Sequence, residues 1–156
     1  MSATPKTIIS DTSCFIVLQN IGELDLLQKV YGEVLTTEIV AGEFGEDLPE
    51  WVKIKSPKDK IRQTLLELQI DKCEASAIAL ALETKDATVI LDDLKARKVA
   101  ERLALEVAET LGVIIKAKNE KVIYSIRPLL NKLSATNFHL SKAIEAEALR
   151  QANELE

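Results

Sequence analysis

An α/β domain in three layers, with helices on both sides of a mainly parallel sheet, is the fold class the sequence predicts. Three observations carry it. Thr7-Ile8-Ile9 and Thr88-Val89-Ile90-Leu91 are short, β-branched apolar runs, which suits strands buried on both faces. Segments with helical spacing lie between such runs, as crossover connections require. At 156 residues, 47% hydrophobic but only 4% aromatic, the chain fits one domain with a core of Leu, Ile, Val and Ala. Right-handed crossovers put all strand carboxyl ends on one edge, where open α/β sheets bind their ligands.

The elements follow in order. Thr7 to Ser10 is a strand ending at Asp11, and Thr12 and Ser13 make a turn or helix cap. Phe15 to Leu18 is apolar and buried. Ile21, Leu24, Leu27 and Val30 are near helical spacing, so 21–30 reads as a helix ended by Gly32. Val34 to Thr36 is a second strand. Thr37 caps a helix from Glu38 to Phe44, stopped by Gly45. Val52 to Lys55 is an edge strand. Pro57 to Leu68 reads as a helix with Ile61, Leu65 and Leu68 on one face. Glu74 to Leu82 is Ala-rich, apolar almost all round and therefore a buried helix. After the central strand come a helix from Leu94 to Leu105, a weak strand from Leu105 to Ala108 and a helix from Thr110 to Ala117. Pro128 opens a helix running to Leu133, and Ser141 caps one running to about Leu155. The whole chain, 1–156, reads as one domain, with 126–156 as C-terminal helices packed on it.

Composition excludes several classes of function. No apolar run approaches the length of a membrane span, and MSATPKT lacks a leader pattern, so a soluble cytoplasmic protein with no membrane partner is expected. Cys14 and Cys73 make neither a disulfide framework nor a CxxC pair, and His139 is the only histidine, so zinc is disfavoured. No GxxxxGK[ST], GxGxxG or GxSxG motif is present. The net charge of −5 argues against simple electrostatic nucleic-acid binding, but the charge is uneven. Residues 94–132 carry 9 Lys+Arg against 4 Asp+Glu, a basic stripe on an acidic chain.

The acids suggest the chemistry. Asp11 ends the first strand, Asp92 and Asp93 end the central one, and Glu109 follows the last. Glu74 opens the buried helix, and Glu43 lies near the end of the helix after the second strand. Each has an ordinary structural use. Asp11 suits a helix cap, Glu74 and Asp93 complement helix dipoles, and Glu38 and Glu43 suit surface positions. Gathered at one edge they would repel, and a hard divalent cation, Mg²⁺ or Mn²⁺, would compensate them. Such a cation favours phosphoryl chemistry. Lys95, Lys98 and Arg102 share one helical face beyond Asp93 and suit a phosphodiester backbone, best a flexible single strand.

IISDTSCFIVL at Ile8 to Leu18, EIVAGEF at Glu38 to Phe44, EASAIALA at Glu74 to Ala81, VILDDLKAR at Val89 to Arg97 and TLGVIIKAK at Thr110 to Lys118 appear in a fixed order. In that order and spacing the sequence resembles the PIN-domain (PilT N-terminus) family, which includes the VapC-like ribonuclease toxins. It looks closest to the stand-alone PIN-like branch. The resemblance implies a PIN-like parallel sheet flanked by helices and a Mg²⁺- or Mn²⁺-dependent endoribonuclease acting on single-stranded RNA. By position it implies Asp11, Glu74 and Asp93 as metal ligands. Glu43 and Asp92 complete the catalytic cluster, with Glu38 the fallback for Glu43. Thr12, Ser13 and Thr110 join Lys95, Lys98 and Arg102 as substrate-binding residues. It further implies a homodimer and, for a toxin, a small antitoxin partner. Two positions depart from the family pattern: Cys73 stands where Gly is usual, and Glu109 where a small residue is common. The alternative reading is a non-catalytic PIN-fold module that binds RNA or protein.

Overall fold

The computed structural model describes residues 6–155. The leader reading of MSATPKT and the outer ends of the proposed 1–156 domain fall largely outside them. In chain order the elements are β1 (Thr7–Ser10), α1 (Thr12–Asn20), α2 (Leu26–Tyr31), β2 (Val34–Thr36), α3 (Glu38–Phe44), β3 (Val52–Ile54) and α4 (Lys60–Leu66). They continue with α5 (Lys72–Leu82), β4 (Ala87–Ile90), α6 (Leu94–Arg102), β5 (Glu106–Ala108), α7 (Thr110–Asn119), α8 (Arg127–Ser134) and α9 (Lys142–Gln151).

The five strands form one sheet in the order β3-β2-β1-β4-β5, and every pairing is parallel. The three-layer α/β/α class follows from how the strands divide their side chains. Successive residues of a strand point to opposite faces. Ile8 and Ile90 enter one apolar cluster with Phe15, Leu18, Leu27, Val113 and Ile114. Ile9 and Val89 enter the other, with Ile78, Leu80, Val99 and Ala100. Thus α1, α2 and α7 cover one face, and α5 and α6 the other. Ile126, Leu129, Leu130 and Leu133 of the α8 region and Ala148 and Leu149 of α9 belong to the first cluster. The Ala-rich helix is buried as its composition requires: from Cys73 to Ala81 no residue is exposed.

Two elements differ from the sequence reading. The segment 21–30 is not one helix. Helix α1 runs through Phe15 to Leu18, and the chain then turns at Gly22, whose φ of +73° is left-handed, before α2 begins at Leu26. A glycine there removes the Cβ clash that would oppose the turn. The second difference is α4, which starts late because Asp59 caps it, accepting from the Arg62 N–H at 2.9 Å. Its buried side carries Gln63 and Leu66, whereas Ile61, Leu65 and Leu68 lie 76%, 59% and 79% exposed. The stripe has helical spacing, but it faces away from the core.

What positions the site is the pairing of β1 with β4. Ser10 lies opposite Ile90, and the Asp11 N–H donates to the Ile90 carbonyl at 3.2 Å. From β1 the chain goes outward to β2 and β3, and on the other side β4 leads to β5. The strand order therefore reverses between β1 and β4. Crevices open at the carboxyl ends of strands at such a switch point.

Candidate active site

Asp11 sits at the N-cap position of α1 but does not cap it: no helix N–H bonds to its side chain in the capping manner. It is 3% exposed, and its Oδ1 is buried with no hydrogen-bond partner. Burial, the largest cause, pushes its pKa from 3.8 to about 7. The Thr12 backbone N–H pulls the other way, and the charges of Asp71, Glu43 and Asp92 push it up further. The capping use open to Asp11 in the sequence is therefore not what holds this carboxyl in place.

Glu74 does both things. It forms a capping box with Asp71: the Glu74 N–H donates to Asp71 Oδ1 at 2.9 Å, and the Asp71 N–H donates to Glu74 Oε1 at 3.3 Å. The same carboxyl is buried, and its pKa is pushed up to about 7. Desolvation leads, followed by the charges of Asp71 and Asp11; the Asp71 N–H lowers it, and Asp93 raises it again. Asp71 is the residue that reading the sequence for strand-end acids misses. The signal that would have found it is local: Asp71-Lys72-Cys73-Glu74 has capping-box spacing, so two acids are brought together at the start of α5.

The remaining acids carry structural duties as well. Asp93 caps α6, accepting from the Ala96 N–H at 3.0 Å, and is exposed. Asp92 caps α7 from another part of the chain. It accepts from the Thr110 N–H at 2.8 Å and from the Thr110 hydroxyl at 2.6 Å. Glu109, at the N-cap position itself, makes no capping bond and instead pairs with Arg97. The charge that Glu109 adds to this edge is thus neutralised by the chain. Glu43 is exposed on α3, close enough to Asp11 to raise its pKa. Glu38 lies in the first turn of α3.

Of the residues expected to meet substrate, Thr12 is buried with an unpartnered hydroxyl, and Ser13 is half-buried beside it. The Thr110 hydroxyl is directed to Asp92. Lys95, Lys98 and Arg102 are all exposed on α6, and none forms an ion pair among the described residues. Cys73 is buried, and its thiol donates to the Ile39 carbonyl at 3.9 Å. Burial above all pushes its pKa up to about 12, so at neutral pH it is a thiol and not a thiolate ligand. Replacing Thr110 by Val keeps the shape of the side chain and removes the donor to Asp92. The expected cost is about 1.5–3 kcal/mol, the range for a bond to a charged group, measured by urea denaturation.

The donor set fits a hard cation. It is built from carboxyls, two with pKa values pushed up to about 7 by burial and like charge, and one buried oxygen lacks any partner. Among the described residues no three Asp, Glu, Cys or His side chains already stand in a metal-holding arrangement, and that includes Asp11, Glu74 and Asp93. Coordination by those three would therefore require side-chain movement, for which exposed Asp93 has room.

Fold and site together define a class: an all-parallel α/β protein with a cluster of carboxyls at the switch point of its sheet. A family model described as a PIN domain matches residues 7–154. The chain belongs to the PIN-domain family. PIN domains are generally nucleases and typically use divalent metal ions. No match was found among the curated proteins. No helix among the described residues is long and apolar enough to cross a membrane.

Proposed function

We propose that the protein is a metal-dependent endoribonuclease that hydrolyses phosphodiester bonds of single-stranded RNA, with Mg²⁺ or Mn²⁺ as cofactor. The observation that carries this reading is the Asp11–Glu74 pair. Both carboxyls are buried, the charge of Asp11 raises the Glu74 pKa, that of Asp71 raises both, and no basic side chain is among the causes of either shift. Folded proteins seldom maintain such repulsion outside functional sites. Asp11, Glu74 and Asp93 would hold the cation, which when bound polarises a phosphoryl oxygen and makes a water nucleophilic. Glu43 and Asp92 would orient that water or take its proton. The Thr110 N–H and hydroxyl fix Asp92 for this task. Lys95 and Lys98 lie exposed along α6, where they would draw a polyanion toward the carboxyl cluster.

The test uses labelled single-stranded RNA with Mn²⁺ or Mg²⁺. Cleavage is expected, is stopped by a chelator and falls at least about 100-fold in Asp93→Asn, the size of a few kcal/mol of lost charge stabilisation. This substitution is clean because Asn caps a helix as well as Asp does, so α6 remains stable. Full activity in Asp93→Asn would remove it from the metal set. A toxin role extends the proposal: expression would arrest growth of a bacterial host, Asp93→Asn would not, and a small antitoxin protein would restore growth. An unchanged growth rate on expression of the active enzyme would remove that role.

A second reading is a non-catalytic module that binds RNA or a protein. It is favoured by the structural work of the acids: Asp92 and Asp93 cap helices, and Glu74 closes a capping box. Calorimetry separates the two readings. Mn²⁺ binding that weakens below pH 7, as protons return to Asp11 and Glu74, supports the nuclease. Absence of binding at millimolar Mn²⁺ and pH 8 supports the module.

A further inference from the structure

Among the described residues, four buried side-chain polar atoms have no hydrogen-bond partner: Asp11 Oδ1, Thr12 Oγ1, Gln63 Oε1 and Arg97 Nε. Buried polar atoms without partners are uncommon and call for a reason. Asp11 and Thr12 stand at the end of β1. A chain of contacts ties Arg97 to the same edge of the sheet. Its N–H donates to the Asp93 carbonyl at 3.0 Å, so it stands one turn beyond Asp93 on the same side of α6. Its Nη1 donates to Glu109 Oε1. Glu109 directly follows β5, whose Ala108 lies opposite Ile90, and directly precedes Thr110, which holds Asp92. Asp11 is an anionic acceptor and Arg97 a cationic donor, so the unmet needs at this edge are opposite in kind.

The pair that Arg97 makes leaves most of its guanidinium unused. A carboxylate and a guanidinium match best two prongs to two. Here only Nη1 bonds to Glu109, and the remaining N–H donors, Nε included, bond to nothing among the described residues. The pair is also within reach of solvent: the Arg97 side chain is 27% exposed and that of Glu109 41%. Glu109 lines the cleft between α7 and α9, about 300 Å³ in volume, beside Leu111, Gly112 and Ile144. It therefore has room to turn away from Arg97. Burial separates Arg97 from the other bases of α6. Lys95, Lys98 and Arg102 are exposed, where water and salt screen their charge. Arg97 is half-buried and screened less, and its planar fork fits paired phosphate oxygens as an ammonium cannot.

We propose that Arg97 binds a phosphate of the single-stranded RNA beside the carboxyl cluster, and that Glu109 occupies the guanidinium until that phosphate replaces it. This deepens the nuclease reading and rests on it for the nature of the ligand. Glu109, where the family pattern favours a small residue, is then an internal competitor that lowers RNA affinity.

Fluorescence anisotropy of a labelled single-stranded RNA oligonucleotide, with a chelator present to prevent cleavage, tests this on the full chain. The wild type is expected to bind, and Arg97→Gln to raise the dissociation constant at least about tenfold. Arg97→Lys keeps the charge without the fork and should retain only part of the affinity. Glu109→Gln should tighten binding severalfold, and should change nothing in the Arg97→Gln background. That comparison isolates the competition. An acid that merely repels RNA would act equally in both backgrounds, and a simple brace between α6 and α7 would weaken binding when cut from either end. Either result overturns the proposal, as does a wild type that binds no RNA or an affinity unchanged by Arg97→Gln. Circular dichroism verifies that every variant is folded. Cleavage indifferent to Arg97→Gln leaves the nuclease reading standing and removes the phosphate contact. RNA held through Arg97 but never cut in Mn²⁺ leaves the contact standing and removes the nuclease.

Discussion

Asp11→Asn is expected to make the protein more stable at pH 8 and inactive. The sign follows from the raised pKa. The Asp11 carboxyl titrates at about 7 in the fold, against an ordinary value of 3.8, so between those values the folded state binds more protons than the unfolded state. Stability from this group is full below pH 4, falls as pH rises toward 7 and is lost above that. The pKa difference bounds the loss at about 4 kcal/mol. An uncharged amide escapes it, and because Asn leaves its own polar atoms to be satisfied, a gain of about 2 kcal/mol is expected. The melting temperature of the wild type should therefore fall between pH 4 and 7 relative to that of Asp11→Asn. Mn²⁺ at pH 8 should raise the wild-type melting temperature and leave the variant unmoved, because only the carboxylate binds the ion. RNA cleavage should fall on the order of 10²–10³-fold. A variant less stable than wild type at pH 8 would show that the Asp11 charge holds the fold together, and the carboxyl cluster would lose its reason to bind a cation.

Phe15→Ala should have the largest effect on stability. Phe15 is fully buried on α1 and meets Phe44 of α3 edge-on, with ring centroids 6.0 Å apart and planes at 68°. Truncation to Ala removes the buried ring and leaves a cavity, at a cost of about 3–5 kcal/mol. That is a large share of the roughly 5–15 kcal/mol that holds a domain folded. Phe15→Leu retains most of the volume and should cost about 1.5 kcal/mol or less. Denaturant titration reads both as midpoint shifts at unchanged slope. Beyond stability, Phe44 follows Glu43 in α3, so loosening the Phe15–Phe44 contact frees the helix that presents Glu43 to Asp11. Cation affinity in Phe15→Ala should weaken even at a temperature where the variant remains folded. An unchanged affinity would separate Glu43 from the site.

How much of this was legible beforehand depends on how local each feature is. Strands β1 and β4, the cap at Thr37 and the end of α3 at Gly45 follow from short-range chemistry, and the sequence reading placed them within a residue. The Thr37 hydroxyl accepts from the Val40 N–H at 3.2 Å, the capping use its position suggests. The boundary between α1 and α2 was not legible in the same way. Apolar spacing continues through Ile21 and Leu24, and only the left-handed turn at Gly22 shows that the helix has stopped. Helix α4 illustrates the same limit. Its amphipathic pattern was visible, but periodicity says that a face exists and not which neighbour it meets.

The sequence alone determined the buried strands, most of the helices and that acids follow the strands, because β-branched runs, caps and helical spacing act over a few residues. Only the tertiary structure decided that Asp11 is a desolvated carboxyl that caps nothing and lies near Glu74, and that Thr110 is committed to Asp92. Those facts depend on β1 pairing with β4 across about half the chain and on β4 pairing with β5. The burial of Asp11 and its nearness to acids from other elements are properties of those pairings, and no local pattern encodes them.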